Sequence, residues 1–206
     1  GTVLTLATGA VLLFVGGTGP KWSGIAGPLG VGAIAAAIIA LPELVPYAAD
    51  RLASWQDPFA DPLGEGHQTI QSLYAIASGG LAGLGLGNSR QKYLYVPEPQ
   101  NDFIFSILCE ELGFAGAALV VALFLLLLLR RISIAVRARD KFGALLVVGF
   151  VVQVVLQAVL NIAVVTNTIP NTGISLPFFS SGGTSLMVLL GEMGIVLSVS
   201  RQADMV

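Results

Sequence analysis

From 103 to 129 the chain reads FIFSILCEELGFAGAALVVALFLLLLL, and its only charged residues, Glu110 and Glu111, sit side by side. A run this long and apolar fits a helix crossing a bilayer core of about 30 Å. Two adjacent carboxylates on such a helix cannot both face lipid ionised. At least one must face protein, a water-filled cavity or a cation.

The rest of the sequence agrees. It is 55% hydrophobic and 11% charged, with a mean hydropathy of +0.85, whereas a soluble domain is about one-quarter charged. The composition is that of an all-α integral membrane protein, a polytopic helical bundle. A net charge of -2 with no dense cluster of Lys and Arg gives no nucleic-acid surface. Cys109 is the single cysteine and, within an apolar run, reads as a packing residue. His67 is the single histidine, without a Cys or His partner for a metal, and reads as a loop residue. The chain opens on Gly1, with neither a basic flank nor a small-residue cleavage pattern. That is expected of a fragment entered at the start of a span, not of a signal peptide.

Five spans are expected, over about 3–17, 24–47, 103–129, 142–166 and 182–200. Between the second and third lies a long loop, 48–102, punctuated by Asp57-Pro58, Asp61-Pro62, Gly64 and Gly66. Within it, Ile70, Leu73, Tyr74 and Ala77 recur at helical spacing, predicting a short helix over 69–77. Its glycines and polar residues make the region interfacial or re-entrant, buried against other helices. A basic connector, 130–141, joins the third and fourth spans, and a second loop covers 167–181. If the connector is cytoplasmic, that side carries Lys21, Arg130, Arg131, Arg137, Arg139, Lys141 and Arg201, against Arg51, Arg90 and Lys92 opposite. Both large loops then face outward.

Most of the polar groups that could do chemistry fall in 79–113, GGLAGLGLGNSRQKYLYVPEPQNDFIFSILCEELG. Glu98, Asp102, Ser106 and Glu110 recur every four residues, and on a helix starting near Asp102 the last three share a face. A carboxylate at the outer boundary suits general-base work or cation binding. Asn101-Asp102 ahead of an apolar run is also a good helix cap, and the two readings coexist. Arg90 and Lys92, after a Gly-rich turn, suit a phosphate. Gln153, Gln157 and Asn161 form an i, i+4, i+8 stripe expected to bond neighbouring helices. No Gly-x-Ser-x-Gly elbow and no P-loop is present.

The runs DPFADPLGEGHQTIQSLYAIASGG, GLGLGNSRQKYLYVPEPQNDFIF, EELGFAGA and NTGISLPFFSSGGTS resemble the C-terminal half of the SEDS proteins (FtsW, RodA, SpoVE) along essentially all of the chain. The segment before NDFIF is closer to the FtsW and SpoVE branch. The resemblance implies a ten-span fold, of which these would be the last five, with a large extracytoplasmic loop. It implies a peptidoglycan glycosyltransferase polymerising lipid II into β-1,4 glycan strands at the outer face of the bacterial cytoplasmic membrane, for septal or spore wall synthesis. Asp102 matches the family's essential carboxylate, Glu98 the acidic residue of the same motif, and Arg90, Gln91 and Lys92 its polar upstream turn. Ser106 and Glu110 complete the expected substrate-binding set. Undecaprenyl pyrophosphate is the implied leaving group and a class B penicillin-binding transpeptidase the implied partner. No cofactor is specified beyond a divalent cation, magnesium or manganese, that could assist at the pyrophosphate. The chain departs from the family at Ser181 and Thr184, where an aromatic and a second serine are usual, and at His67, where an aromatic is common. A lipid II flippase and a non-enzymatic division scaffold are the alternatives.

Overall fold

The structure, a computed structural model, describes residues 2–17, 46–62, 64, 66–89 and 102–203. Within these the chain is helical: α1 (Thr2–Val15), α2 (Pro46–Gln56), α3 (His67–Gly79), α4 (Ile104–Val136), α5 (Lys141–Val165) and α6 (Gly183–Gln202). Three of them, α4, α5 and α6, are long and apolar enough to cross a membrane, and Leu4–Val15 adds a shorter apolar helix. The second expected span, 24–47, lies outside the described residues except at its end, where α2 begins. Leu119, Leu125, Leu126 and Leu129 of α4 and Met187 and Leu197 of α6 are more than half exposed. Outward apolar faces of this extent belong in lipid or against further helices, not in water. The chain is therefore a helical membrane protein.

The helix ends follow from local chemistry. Asp140 accepts a 2.8 Å bond from the Gly143 amide at the head of α5, a side-chain cap on a donor the helix leaves unpaired. At the tail of α5, Asn167 takes a left-handed φ of 55°. The Asn167 amide bonds the Val164 carbonyl and the Thr168 amide the Ala163 carbonyl, which is how a helix stops on a residue that tolerates that conformation. The short helix expected over 69–77 runs His67–Gly79, with His67 Nδ1 3.2 Å from the Pro62 carbonyl oxygen in the preceding turn. α4 continues past Arg130 and Arg131 to Val136, well into the segment read as a connector.

Two compact units divide the described chain, and α4 and α5 contribute one part to each. One unit contains α1, the C-terminal part of α4, the N-terminal part of α5, and α6. Its core gathers Ile134, Val147, Val151 and Val196, with Leu128, Phe150, Val155 and Val199 packed around them. The other contains α2, α3, the head of α4, the tail of α5 and the loop that follows. Here Ser72 of α3 donates a 2.9 Å bond to the Val165 carbonyl at the end of α5, and Phe103, Phe105, Ile107 and Leu176 are buried.

α4 is broken at Gly113, whose φ of 67° and ψ of -166° are not helical. The break frees the Glu110 and Glu111 carbonyls from their helical partners, the amides of Phe114 and Ala115. All four groups find substitutes in the Gly-rich turn after α3. The Leu84 amide bonds the Glu110 carbonyl at 3.0 Å and the Gly85 amide the Glu111 carbonyl at 2.9 Å. In return the Phe114 amide bonds the Gly80 carbonyl at 2.9 Å and the Ala115 amide the Leu81 carbonyl at 3.2 Å. Irregular backbone at membrane depth is tolerated only where such bonds are replaced in full. Beyond the break, 114–136 alone measures about 34 Å, enough to cross the hydrocarbon core.

Candidate functional site

Asp102 stands two residues ahead of α4, and its main chain is held from the side by Asn161 of α5. The Asn161 carboxamide is fully buried. Its Nδ2 donates to the Asp102 carbonyl at 2.7 Å and to the Ile174 carbonyl at 2.7 Å. One turn earlier, Gln157 Nε2 donates to the Ser175 carbonyl at 2.9 Å. The amide stripe thus ties α5 to the second loop and the head of α4, where bonds to neighbouring helices were expected. The reason is geometric: two carbonyls of an irregular loop need donors, and a carboxamide supplies two on one atom.

The Asp102 carboxylate is half-buried. Its Oδ2 lies 3.6 Å from the position a Cβ would take on Gly173, which has a φ of +63°. Glycine answers the left-handed turn there, and a Cβ would stand at ordinary van der Waals distance from the carboxylate. The turn is set by Asn171, whose Oδ1 accepts the Gly173 amide at 3.0 Å. Further along the loop Phe178 also has a left-handed φ, 67°, in a turn closed by the Leu176 amide donating to Ser180 Oγ at 2.8 Å. A bulky residue held in that conformation marks a segment fixed by its surroundings.

Below Asp102 the stripe goes inward. Ser106 is fully buried and returns its hydroxyl to the Phe103 carbonyl at 2.8 Å. Glu110, also buried, accepts a 2.5 Å bond from the buried Ser89 hydroxyl. Ser89 was not singled out from the sequence; its place just before Arg90 in the polar turn is the signal that points to it. Arg90, Gln91, Lys92 and Glu98 lie outside the described residues. The segment that carries them leaves from Ser89, pinned to α4 at Glu110, and returns at Asp102, on the head of the same helix.

Glu111 has a buried Oε1 without a hydrogen-bond partner. Among the described residues no three His, Cys, Asp or Glu side chains come together to hold a metal ion. Asp102, Asn161 and Gly173 form the core of the described candidate site: a half-buried aspartate, a buried clamp on its main chain, and a loop glycine beside it.

Comparison with known proteins bears on what this arrangement serves. The family model for FtsW, RodA and SpoVE, described as cell cycle protein, matches residues 1–205. The stage V sporulation protein E of Bacillus subtilis is 47% identical over 201 residues, which is 98% of this chain and 54% of that protein. A probable peptidoglycan glycosyltransferase FtsW of Geobacter sp. (strain M18) is 42% identical, again over 98% of this chain and 54% of the relative. The chain thus spans about half the length of the curated relatives it matches. Among solved structures, a chain of a peptidoglycan synthase complex that coordinates polymerization and crosslinking superposes with a TM-score of 0.69 at 34% identity. It covers 95% of this chain and 53% of the other. A mutant of the rod shape determining protein RodA of Thermus thermophilus matches with a TM-score of 0.50 at 32% identity, over 66% of this chain and 41% of the other.

Proposed function

Since the chain belongs to the FtsW, RodA and SpoVE family, we propose that it is the C-terminal part of a peptidoglycan glycosyltransferase in the bacterial cytoplasmic membrane. In this reading it supplies five of ten spans, places both large loops outside, and polymerises lipid II for septal or spore wall synthesis. The observation that carries the reading is the placement of Asp102, held through its main chain by Asn161 at the head of a membrane helix and beside the Gly173 turn.

The chemistry suits that arrangement. Joining an α-linked sugar diphosphate to a sugar 4-hydroxyl as a β-linkage inverts the anomeric carbon. The Asp102 carboxylate takes the hydroxyl proton as the oxygen attacks that carbon, and the bond to the diphosphate breaks with its electron pair going to the leaving group. Arg90 and Lys92 would meet the growing negative charge on the diphosphate, and Gln91 and Glu98 complete the expected substrate-binding set. Ser106 and Glu110, both expected at the substrate, each make a bond within the protein that steadies the helix head. A class B penicillin-binding transpeptidase is the partner, consistent with the likeness to a synthase complex that couples polymerization and crosslinking. A flippase would draw on the intramembrane acids Glu110, Glu111 and Glu192, of which Glu110 is bonded to Ser89 and Glu192 faces Arg131, while Glu111 keeps a buried oxygen without a hydrogen bond.

The test uses the full-length parent purified with its transpeptidase. Wild type should convert lipid II into glycan strands, and Asp102→Asn, folded to the same melting temperature, should lose about 10²–10⁴-fold of the rate, the range of a general base. Equal polymerisation by both would remove Asp102 from the chemistry.

A further inference from the structure

A polar cavity of about 230 Å³ has Arg51 and Trp55 of α2, Gln68 and Thr69 of α3, and Asn167 and Asn171 of the second loop in its wall. The wall is built by bonds among its own members. Arg51 Nη1 donates to the Asn171 carbonyl at 2.8 Å, Trp55 Nε1 to the Asn167 carbonyl at 3.1 Å, and Asn171 Nδ2 to Gln68 Oε1 at 3.4 Å. These bonds fix the indole and the carboxamides before any ligand arrives, which lowers the entropy cost of binding. Two polar groups in the wall, the Thr69 hydroxyl and Asn167 Oδ1, have no hydrogen-bond partner among the described residues.

The chemistry of this lining is selective. Among the described residues its polar wall is of amides, hydroxyls, an indole and a guanidinium. One arm of Arg51 is already committed to a main-chain carbonyl. The wall then offers an indole, three carboxamides, a guanidinium and the hydroxyls of Thr69 and Ser54, the latter bonded to the Arg51 carbonyl, a set that suits a ring carrying several hydroxyl and amide groups. The volume is below the roughly 300–1,000 Å³ of drug-sized pockets and admits one such ring, not two. Its place is informative as well: Asn171 sets the turn at Gly173, and Gly173 lies against Asp102 Oδ2.

We infer that this cavity is a saccharide subsite, holding one N-acetylated pyranose ring of the glycan next to the sugar that reacts at Asp102. The identity of the sugar rests on the glycosyltransferase reading, whereas the capacity to bind a neutral amide-bearing ring rests on the lining itself. Holding a second ring keeps the strand in place between transfers, so the subsite controls strand length.

Two variants test this in the full-length parent. Thr69→Val removes the hydroxyl at constant shape, and Asn167→Gly removes the carboxamide while keeping a residue that accepts a φ of 55°. The probes are strand length from lipid II, read on gels, and binding of soluble chitotetraose, read by saturation-transfer NMR without turnover. The double variant should bind chitotetraose about tenfold more weakly, as expected for two lost hydrogen bonds, and should make strands several-fold shorter. If wild type polymerises but the double variant matches it in both readouts, the subsite is overturned and the glycosyltransferase reading stands. If wild type binds chitotetraose and the variant does not, while neither polymerises, the subsite stands and that reading falls. Failure of wild type to bind chitotetraose overturns the subsite whatever the polymerisation result.

Discussion

Asn161 offers two N–H groups to two main-chain carbonyls, so it holds the main chain of Asp102. Replacing it by leucine leaves the Asp102 and Ile174 carbonyls buried without donors, a loss of about 2 kcal/mol or more. The expected result for Asn161→Leu in the full-length parent is a lower melting temperature in detergent and, on the proposed glycosyltransferase reading, a polymerisation rate at least about tenfold down with KM moved little, because the proposed base is displaced and not the substrate. Asn161→Asp should be worse, since it sets an acceptor against two acceptors; a milder effect than leucine would show that the clamp is not what holds the site. At this scale the sequence was half legible. Asp102 stands out by its motif and its place ahead of an apolar run. Its clamp does not, because an amide on an apolar helix reads the same whether it bonds a helix or a loop.

The broken α4 governs the element scale. A Cβ on Gly83 would run into the Glu111 carbonyl and one on Gly113 into the Gly83 amide, and both glycines have left-handed φ. Gly83→Ala and Gly113→Ala should each destabilise by about 2–4 kcal/mol, from strain and overpacking together. At Gly194 of α6 an added Cβ meets nothing within 4 Å. Gly194→Ala should therefore be neutral or stabilise by up to about 1 kcal/mol. Thermal unfolding of the three variants in one detergent checks the contrast, and equal losses would refute it. Apolar period and turn residues were enough to place the described long helices and α3. The break was hidden because hydropathy reports side chains, and EELGFAGA differs from a continuous helix only in its backbone.

On the scale of the molecule, the composition already required a membrane, but not where the buried charges would go. Arg131 of α4 and Glu192 of α6 are both buried, attract one another, and each keeps one side-chain atom without a hydrogen bond. Glu192→Gln or Arg131→Met alone should cost about 3–5 kcal/mol by stranding the other charge. The double change should cost far less, and a double-mutant cycle on unfolding in detergent measures the difference. The exchange of bonds at Gly113 has its own consequence for biogenesis. The turn at 80–85 is synthesised and delivered to the membrane before the helix that completes it, so its donors and acceptors must wait for 110–115 to emerge. Until then each unpaired group costs several kcal/mol in lipid. Docking of the turn against 110–115 is the step that ends this exposure.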